Sequence, residues 1–288
     1  MKEIVVLSGK GGTGKTTIVA SFAALAKNKV LADCDVDAAD LHLLLQPTIT
    51  KTEEFWSGKT AFIDKKFCTR CEICEQVCRF DAIKNLKVDP IFCEGCGFCF
   101  RVCPESTIRM KDNLAGHWFI SDTKYGPLVH ARLGIAQENS GKLVAMVRQH
   151  ARAIAQEQLF DYILSDGPPG IGCPVISSLS GANLALLITE PTLSGIHDLD
   201  RVLGVCRHFG VCALVCINKY DINEENTRQI EDFCQSQGVE VISRLPFDNM
   251  VTKALVQGLP VVEYSEDGIS REIEALWQTV STFMSQSR

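Results

Sequence analysis

The chain has 288 residues, a formal net charge of -6 (29 Lys+Arg against 35 Asp+Glu), 46% hydrophobic residues and 14 cysteines. The length allows one large or two modest domains with ample apolar material for a core, and the acidic balance argues against broad nucleic-acid binding. No apolar run approaches the roughly 18 residues of a membrane span, and residues 1–9 turn glycine-rich too early for a signal peptide. A cytoplasmic protein is expected, with cysteines kept as thiols or ligands and not as disulfides.

An apolar strand over 3–7 runs into Ser8-Gly9-Lys10-Gly11-Gly12-Thr13-Gly14-Lys15-Thr16-Thr17. An apolar helix follows to about residue 27, and a second strand over 29–32 ends in Asp33-Cys34-Asp35. Strand, loop, helix and strand at this spacing form a βαβ unit, which predicts a parallel sheet with right-handed crossovers. Gly9 to Thr16 fits the pattern G-x-x-x-x-G-K-[ST] between strand and helix. The glycines let the backbone curl so that successive N–H groups face phosphate oxygens, and the helix adds its positive N-terminal end. Lys15 then faces the β- and γ-phosphates, and the Thr16 hydroxyl is a ligand for Mg²⁺.

Between about 59 and 112 the rhythm breaks and the sequence repeats itself at an offset of 25 residues. Ile63 matches Val88, Phe67 matches Phe92, and Ile83 matches Ile108. Cys68, Cys71, Cys74 and Cys78 match Cys93, Cys96, Cys99 and Cys103 in the same way. Each half is too short to bury its own apolar face, so the two are expected to pack as one small inserted unit. The spacing C-x₂-C-x₂-C-x₃-C, twice, suits a pair of [4Fe–4S] clusters, with the fourth cysteine of each run serving the other cluster. This assigns Cys68, Cys71, Cys74 and Cys103 to one cluster, and Cys93, Cys96, Cys99 and Cys78 to the other. A zinc ribbon would need isolated pairs and longer spacers.

After about 140 the alternation resumes. A helix is expected over 142–158 and a strand over 162–165, followed by a glycine-proline loop over 166–172. Further strands are expected over 184–189, 211–217 and 239–243. The segment 269–284 carries Ile269, Ile273, Leu276, Val280 and Phe283, the period of an amphipathic helix packed on the sheet. Cys206, Cys212, Cys216 and Cys234 lie in apolar contexts and are expected as core thiols. His117, His130 and His150 show no metal-ligand spacing.

The loop form Lys-Gly-Gly-x-Gly-Lys-Thr, with Lys10 early in it, resembles the deviant phosphate loop of the MinD/ParA/Mrp and nitrogenase-iron-protein ATPases. The resemblance extends over almost the whole chain, through Asp166-Gly167-Pro168-Pro169-Gly170-Ile171-Gly172-Cys173-Pro174 and Thr189-Glu190-Pro191-Thr192. It implies that ATP and Mg²⁺ bind between two such chains, a homodimer or a heterodimer with a related ATPase, and that Lys10 reaches the partner's phosphates. Asp35 would orient or deprotonate the attacking water, Asp166 would hold Mg²⁺ through water, and the Gly170 amide would sense the γ-phosphate. Asn218 and Lys219, with Pro246, Phe247 and Asp248, occupy the positions of adenine recognition. Thr13 and Thr17 complete the loop. The insert resembles a bacterial two-cluster ferredoxin, departing from it at Arg79, where proline commonly follows the fourth cysteine. Cys173 sits near where the nitrogenase iron protein ligates a shared cluster. No other cysteine occurs from 104 to 172, so no such cluster is expected.

The fold expected is therefore α/β, a mostly parallel P-loop sheet flanked by helices and made of 1–58 and 113–288, with a small α+β ferredoxin domain over 59–112. The function expected is an ATPase whose nucleotide-dependent dimerisation gates low-potential electron transfer to a redox partner. Two other functions stay open. One is an iron–sulfur assembly or carrier ATPase, although the C-x-x-C that Mrp-type carriers use in the C-terminal half is absent. The other is a MinD-like spatial organiser with structural clusters.

Overall fold

The first apolar strand, β1 (Lys2–Ser8), leads through the glycine loop to α1 (Lys15–Leu25) and β2 (Lys29–Asp33), followed by α2 (Leu41–Leu45) and β3 (Thr48–Ile63). The cysteine region holds α3 (Ile73–Gln76), β4 (Ile83–Lys84), β5 (Lys87–Val88) and α4 (Phe98–Val102). Next come β6 (Ile108–Thr123), β7 (Gly126–Leu133), α5 (Ser140–Glu157), β8 (Tyr162–Pro169), α6 (Cys173–Leu179), β9 (Leu184–Thr189) and α7 (Leu193–His208). The chain ends with β10 (Cys212–Asn218), α8 (Glu224–Ser236), β11 (Glu240–Leu245), α9 (Asn249–Val256), α10 (Val261–Tyr264) and α11 (Ile269–Gln286). This computed structural model describes residues 1–134 and 139–286.

Nine strands form one sheet in the order β11-β10-β9-β1-β8-β2-β7-β6-β3. β1 pairs in parallel with β8 and β9, β2 with β7 and β8, and β10 with β9 and β11. Ile4 to Leu7 of β1 form an unbroken apolar run because both faces of the strand are covered. Ile4 and Val6 enter a core with Phe22 of α1 and Ile273, Leu276 and Val280 of α11. Val5 and Leu7, of opposite parity, enter a second core with α6, α7 and α8. The C-terminal segment forms the expected amphipathic helix, and the Trp277 ring on α11 packs tilted against Phe22, with ring centroids 5.1 Å apart.

By contact density the chain divides into two units, Met1–Thr52 with Trp118–Arg132 and Gly141–Arg288, and Glu53–His117 with Leu133–Ser140. The second carries all eight motif cysteines. β3, β6 and β7 are not among the strands expected from the sequence. Thr48 to Glu54 is exposed at every position, so no buried face marks a period there. A polar, charged edge strand of this kind resists pairing with other chains.

In the second unit the sequence repeat is a backbone repeat. Helix α3 starts at Ile73 and α4 at Phe98. Left-handed backbone recurs at the same offset, at Arg70 and Gly95, Glu72 and Gly97, and Asp81 and Ser106. The two halves meet in the β4–β5 hairpin, which pairs Ile83 with Val88. Its two turn residues, Asn85 and Leu86, both have positive φ, as a two-residue hairpin twisting with its strands requires.

Candidate functional site

The carboxyl ends of the parallel strands gather the predicted phosphate-site residues, as open α/β sheets do. Gly14 is the N-cap of α1 at φ 92, left-handed backbone that suits glycine. A Cβ there would also lie 2.5 Å from Asn218 Nδ2. Gly9 is tight for another reason, because its Cβ would fall 2.3 Å from Asp198 Cβ on α7. Lys15 opens α1 and is 6% exposed. Thr13 is buried in the loop, and its Oγ1 has no protein partner. Gly11 and Gly12 are exposed, while Thr16 and Thr17 are half-buried in the first turn of α1.

Asp33 ends β2 and stands opposite Asp166 of β8 in the parallel register. Both are essentially fully buried, at 0% and 1% exposure. Burial, moderated by the Thr16 hydroxyl and the Lys15 charge, pushes the Asp166 carboxyl up to about 7. Burial, reinforced by the Asp166 charge, pushes Asp33 well above the usual carboxylate range. Asp33 Oδ2 and Asp166 Oδ1 have no protein partner. Two buried carboxylates with spare oxygens beside a threonine hydroxyl are a donor set that fits a hard divalent cation. Asp35 is half-buried; burial raises its carboxyl and the Lys15 charge lowers it. Its amide donates to Asp33 Oδ1 at 3.1 Å.

The expected loop over 166–172 is a strand as far as Pro169, with the register shifting between Val6 and Ser8 of β1. Gly167 permits this, since a Cβ there would lie 2.4 Å from Leu7 Cδ2. Gly170 turns the chain at φ 88, and its amide, expected free for a γ-phosphate, donates to Ser8 O at 2.9 Å. Lys10 Nζ donates to Thr192 Oγ1 at 3.1 Å within the same chain.

The residues expected around adenine divide into two groups. Asn218 Nδ2 donates to Thr13 O at 2.9 Å, and Lys219 Nζ donates to Gly12 O at 3.3 Å while pairing with Glu190 at 3.6 Å. Both therefore brace the phosphate loop from behind. Phe247 is half-exposed, and its amide donates to Asp221 Oδ1 at 2.7 Å, next to Pro246. Asp248 caps α9 by accepting from Met250 N at 2.8 Å.

The sequence alone gives Asp33 no role beyond the end of its strand, and does not reveal a buried ion cluster between β1, α5 and α6. Glu3, 2% exposed, accepts from Arg148 Nε at 2.6 Å and from Arg152 Nη2 at 2.7 Å. Arg148 also donates to the carbonyls of Ser177 and Ser180, at the C-terminal end of α6. Only the Asp-x-Asp spacing hinted at Asp33, and nothing in the local sequence marks Glu3.

In the cysteine unit, Cys68, Cys71, Cys74 and Cys103 line one cavity. Cys78, Cys93, Cys96 and Cys99 line another. Each cavity thus takes three cysteines from one half of the repeat and the fourth from the other. Cys71 and Cys96 are exposed, Cys74 and Cys99 buried, and the remaining four intermediate, so burial repeats too. Among the described residues no group of three or more His, Cys, Asp or Glu stands close enough to hold a single metal ion. Four thiols spread around one cavity instead fit a cubane, in which each thiolate binds a different iron. Of the other cysteines, Cys34, Cys206, Cys216 and Cys234 are buried, as expected of core thiols. Cys173 is exposed, and so is Cys212, against its expected core place.

The family model of the CobQ/CobB/MinD/ParA nucleotide binding domain matches residues 4–261. An uncharacterized protein of Methanocaldococcus jannaschii is 32% identical over 98% of this chain and 97% of its own length. The septum site-determining protein MinD of Thermotoga maritima is 25% identical over 95% of this chain and 85% of its own. Among solved structures, MinD of Pyrococcus horikoshii complexed with Mg-ADP has the same fold, with a TM-score of 0.59 at 19% identity. That match covers 98% of this chain and 97% of the other.

Proposed function

We propose, for a chain that belongs to the CobQ/CobB/MinD/ParA nucleotide binding domain family, a MinD/ParA-type ATPase that carries two [4Fe–4S] clusters and couples its nucleotide state to theirs. The ATPase part follows from the family and from one observation at the site. A buried carboxylate pair, Asp33 and Asp166, has oxygens without a protein partner beside Lys15 and Thr16.

Lys15 and the amides of residues 9–16 hold the phosphates, and Thr16 and Asp166 hold Mg²⁺, with Asp33 as a further carboxylate at the same place. When bound, the cation neutralises charge that develops on the transferring phosphoryl group. Asp35 positions the attacking water at the edge of this cluster, and Lys10 leaves Thr192 to reach a partner's phosphates across a dimer. The Gly170 amide exchanges Ser8 O for the γ-phosphate. Asn218 and Lys219 keep the loop curled, while Pro246, Phe247 and Asp248 border the base. Purified protein should hydrolyse ATP only with Mg²⁺, and Lys15→Ala should abolish turnover. Magnesium-independent hydrolysis, or full activity in that variant, would sink the assignment.

The cluster part is supported by the crossed lining of the two cavities. Cys68, Cys71, Cys74 and Cys103 would hold one cluster, and Cys78, Cys93, Cys96 and Cys99 the other. Such clusters supply one-electron transfer at low potential. Protein loaded anaerobically with ferrous iron and sulfide should retain about eight irons, the content of two such clusters. Retention of none would remove this part and leave the ATPase. The likeness to septum site-determining MinD favours a second reading, a spatial organiser in which the clusters are structural pins. ATPase rates that are equal with oxidised and reduced clusters would select the organiser over coupling.

A further inference from the structure

The two cysteine sets are related by the internal repeat, so a chemical difference at equivalent positions separates cavities whose backbones match. Cys103 completes the first cavity and Cys78 the second. The fourth residue after Cys103 is Thr107, and the fourth after Cys78 is Ala82. Both are buried, at 5% and 2% exposure. Thr107 Oγ1 lies 3.4 Å from Cys103 Sγ, within hydrogen-bond reach of sulfur. Thr107 also lines the first cavity, and its carbonyl accepts from Asp64 N at 2.8 Å, which fixes the residue by its main chain. Ala82 has no hydroxyl to offer Cys78.

We propose that Thr107 is a tuning residue: its hydroxyl donates to the Cys103 sulfur and makes a cluster held by Cys68, Cys71, Cys74 and Cys103 easier to reduce than one held by Cys78, Cys93, Cys96 and Cys99. The proposal rests on the reading of the two cavities as cluster sites. A thiolate bound to iron carries no proton, so in this pair only the hydroxyl can donate. Reduction adds negative charge that is shared with the thiolate sulfurs, and a donor aimed at one of them stabilises the reduced form.

Two other differences compete with this one. Arg79 follows Cys78 where Pro104 follows Cys103, and its positive charge favours reduction of the second cluster. Arg79 is exposed and lies over the Phe80 ring at 5.4 Å, so solvent and salt screen it, whereas the Thr107 hydroxyl acts at contact in a buried place. Backbone amides are the second difference. Arg70 N donates to Cys68 Sγ at 3.4 Å and Ala61 N to Cys93 Sγ at 3.5 Å, while the main chain at Glu105, Thr107 and Ile108 acts on Cys103 as well. Thr107→Ala leaves all of these amides in place, so that variant reads the hydroxyl alone.

The test uses the full chain, loaded anaerobically with ferrous iron and sulfide and titrated against dithionite, with paramagnetic resonance reporting each reduced cluster. Wild type should show two midpoint potentials. Thr107→Ala should move the higher midpoint to a more negative value and leave the lower one in place. Thr107→Ser, which keeps the hydroxyl, should leave both unchanged. Ala82→Ser should raise the lower midpoint, and this variant decides the matter where Thr107→Ala does not load. A single midpoint in wild type, or equal behaviour of Thr107→Ala and Thr107→Ser, overturns the proposal. An Ala82→Ser protein with unmoved midpoints does the same when Thr107→Ala cannot be read. A wild-type chain that takes up no iron and sulfide overturns the cluster reading itself, and the proposal with it.

Discussion

At the phosphate site, two carboxylates are held where ionisation is costly unless a cation arrives. Asp166 keeps its proton in the folded, metal-free protein up to about pH 7 because of burial, whereas an unfolded aspartate loses it near pH 4. Between those values the folded chain binds more protons than the unfolded chain, so stability falls as pH rises through this window. Asp166→Asn removes the charge without removing the hydrogen-bonding shape. Metal-free Asp166→Asn should therefore melt higher than wild type at pH 8, with the gain shrinking towards pH 5. Each 1 kcal/mol of relief raises Tm by about 2–4 °C in a domain of this size. Thermal melts without Mg²⁺ and nucleotide at the two pH values check this; a constant difference would mean that the buried charge is not its cause. The same variant should lose Mg²⁺-dependent hydrolysis, so stability and activity move in opposite directions.

Asp35 differs from that pair in being half-buried and close enough to Lys15 to feel its charge. A residue that orients or deprotonates water contributes roughly 10²–10⁴ in rate. Asp35→Asn should lower turnover by that order while leaving nucleotide affinity near wild type. Comparison of the catalytic rate with nucleotide affinity separates the two, and parallel loss of both would place Asp35 in binding and not in catalysis.

At the scale of elements, α5 and α6 are joined by Arg148. Helix α6 ends in carbonyls of Ser177 and Ser180, both of which accept from Arg148, while Glu3 of β1 neutralises the same guanidinium. Arg148→Ala leaves Glu3 buried with half of its partners, a change worth about 3–5 kcal/mol for buried pairs. Arg152 binds the same carboxylate, but its side chain is 36% exposed, so Arg152→Ala should cost on the order of 1 kcal/mol. Denaturant unfolding of both variants checks the ranking, and equal losses would refute the assigned burial difference.

Much of this level was readable from the residues. The apolar run of β1, the glycine loop and the C-terminal helix have periods or spacings that survive in the structure because both partners of each contact are apolar or glycine. The cysteine repeat was readable for the same local reason, since spacing along the chain largely decides which thiols face one cavity. β3 was not readable, because an edge strand whose first residues are all exposed has no alternation to show. β8 was read too short, since its continuation to Pro169 depends on Gly167 fitting beneath Leu7, a contact with another strand. The pairing of Asp33 with Asp166 lay equally out of reach, because a parallel register joins residues far apart in sequence.

For the whole molecule, the proposed clusters raise the question of whether nucleotide and redox states share free energy. The chain passes between the two units along β3 and β6, and α5 begins at Ser140, the last residue assigned to the cysteine unit. Within the ATPase unit that same helix meets α6 twice. A Cβ on Gly141 would come 3.0 Å from Cys173 Cβ, and Arg148 holds the far end of α6. These contacts are the route by which a nucleotide-dependent movement of α6 would reach α5. If it does, linkage requires reciprocity: a tenfold difference in ATP affinity between oxidised and reduced protein must appear as a shift of about 59 mV in a one-electron midpoint on adding ATP. Titrations with ATP, with ADP and without nucleotide, beside binding isotherms in the two redox states, measure both sides. Agreement of the two numbers establishes coupling. Midpoints that ignore nucleotide would leave two units that share a chain without sharing energy.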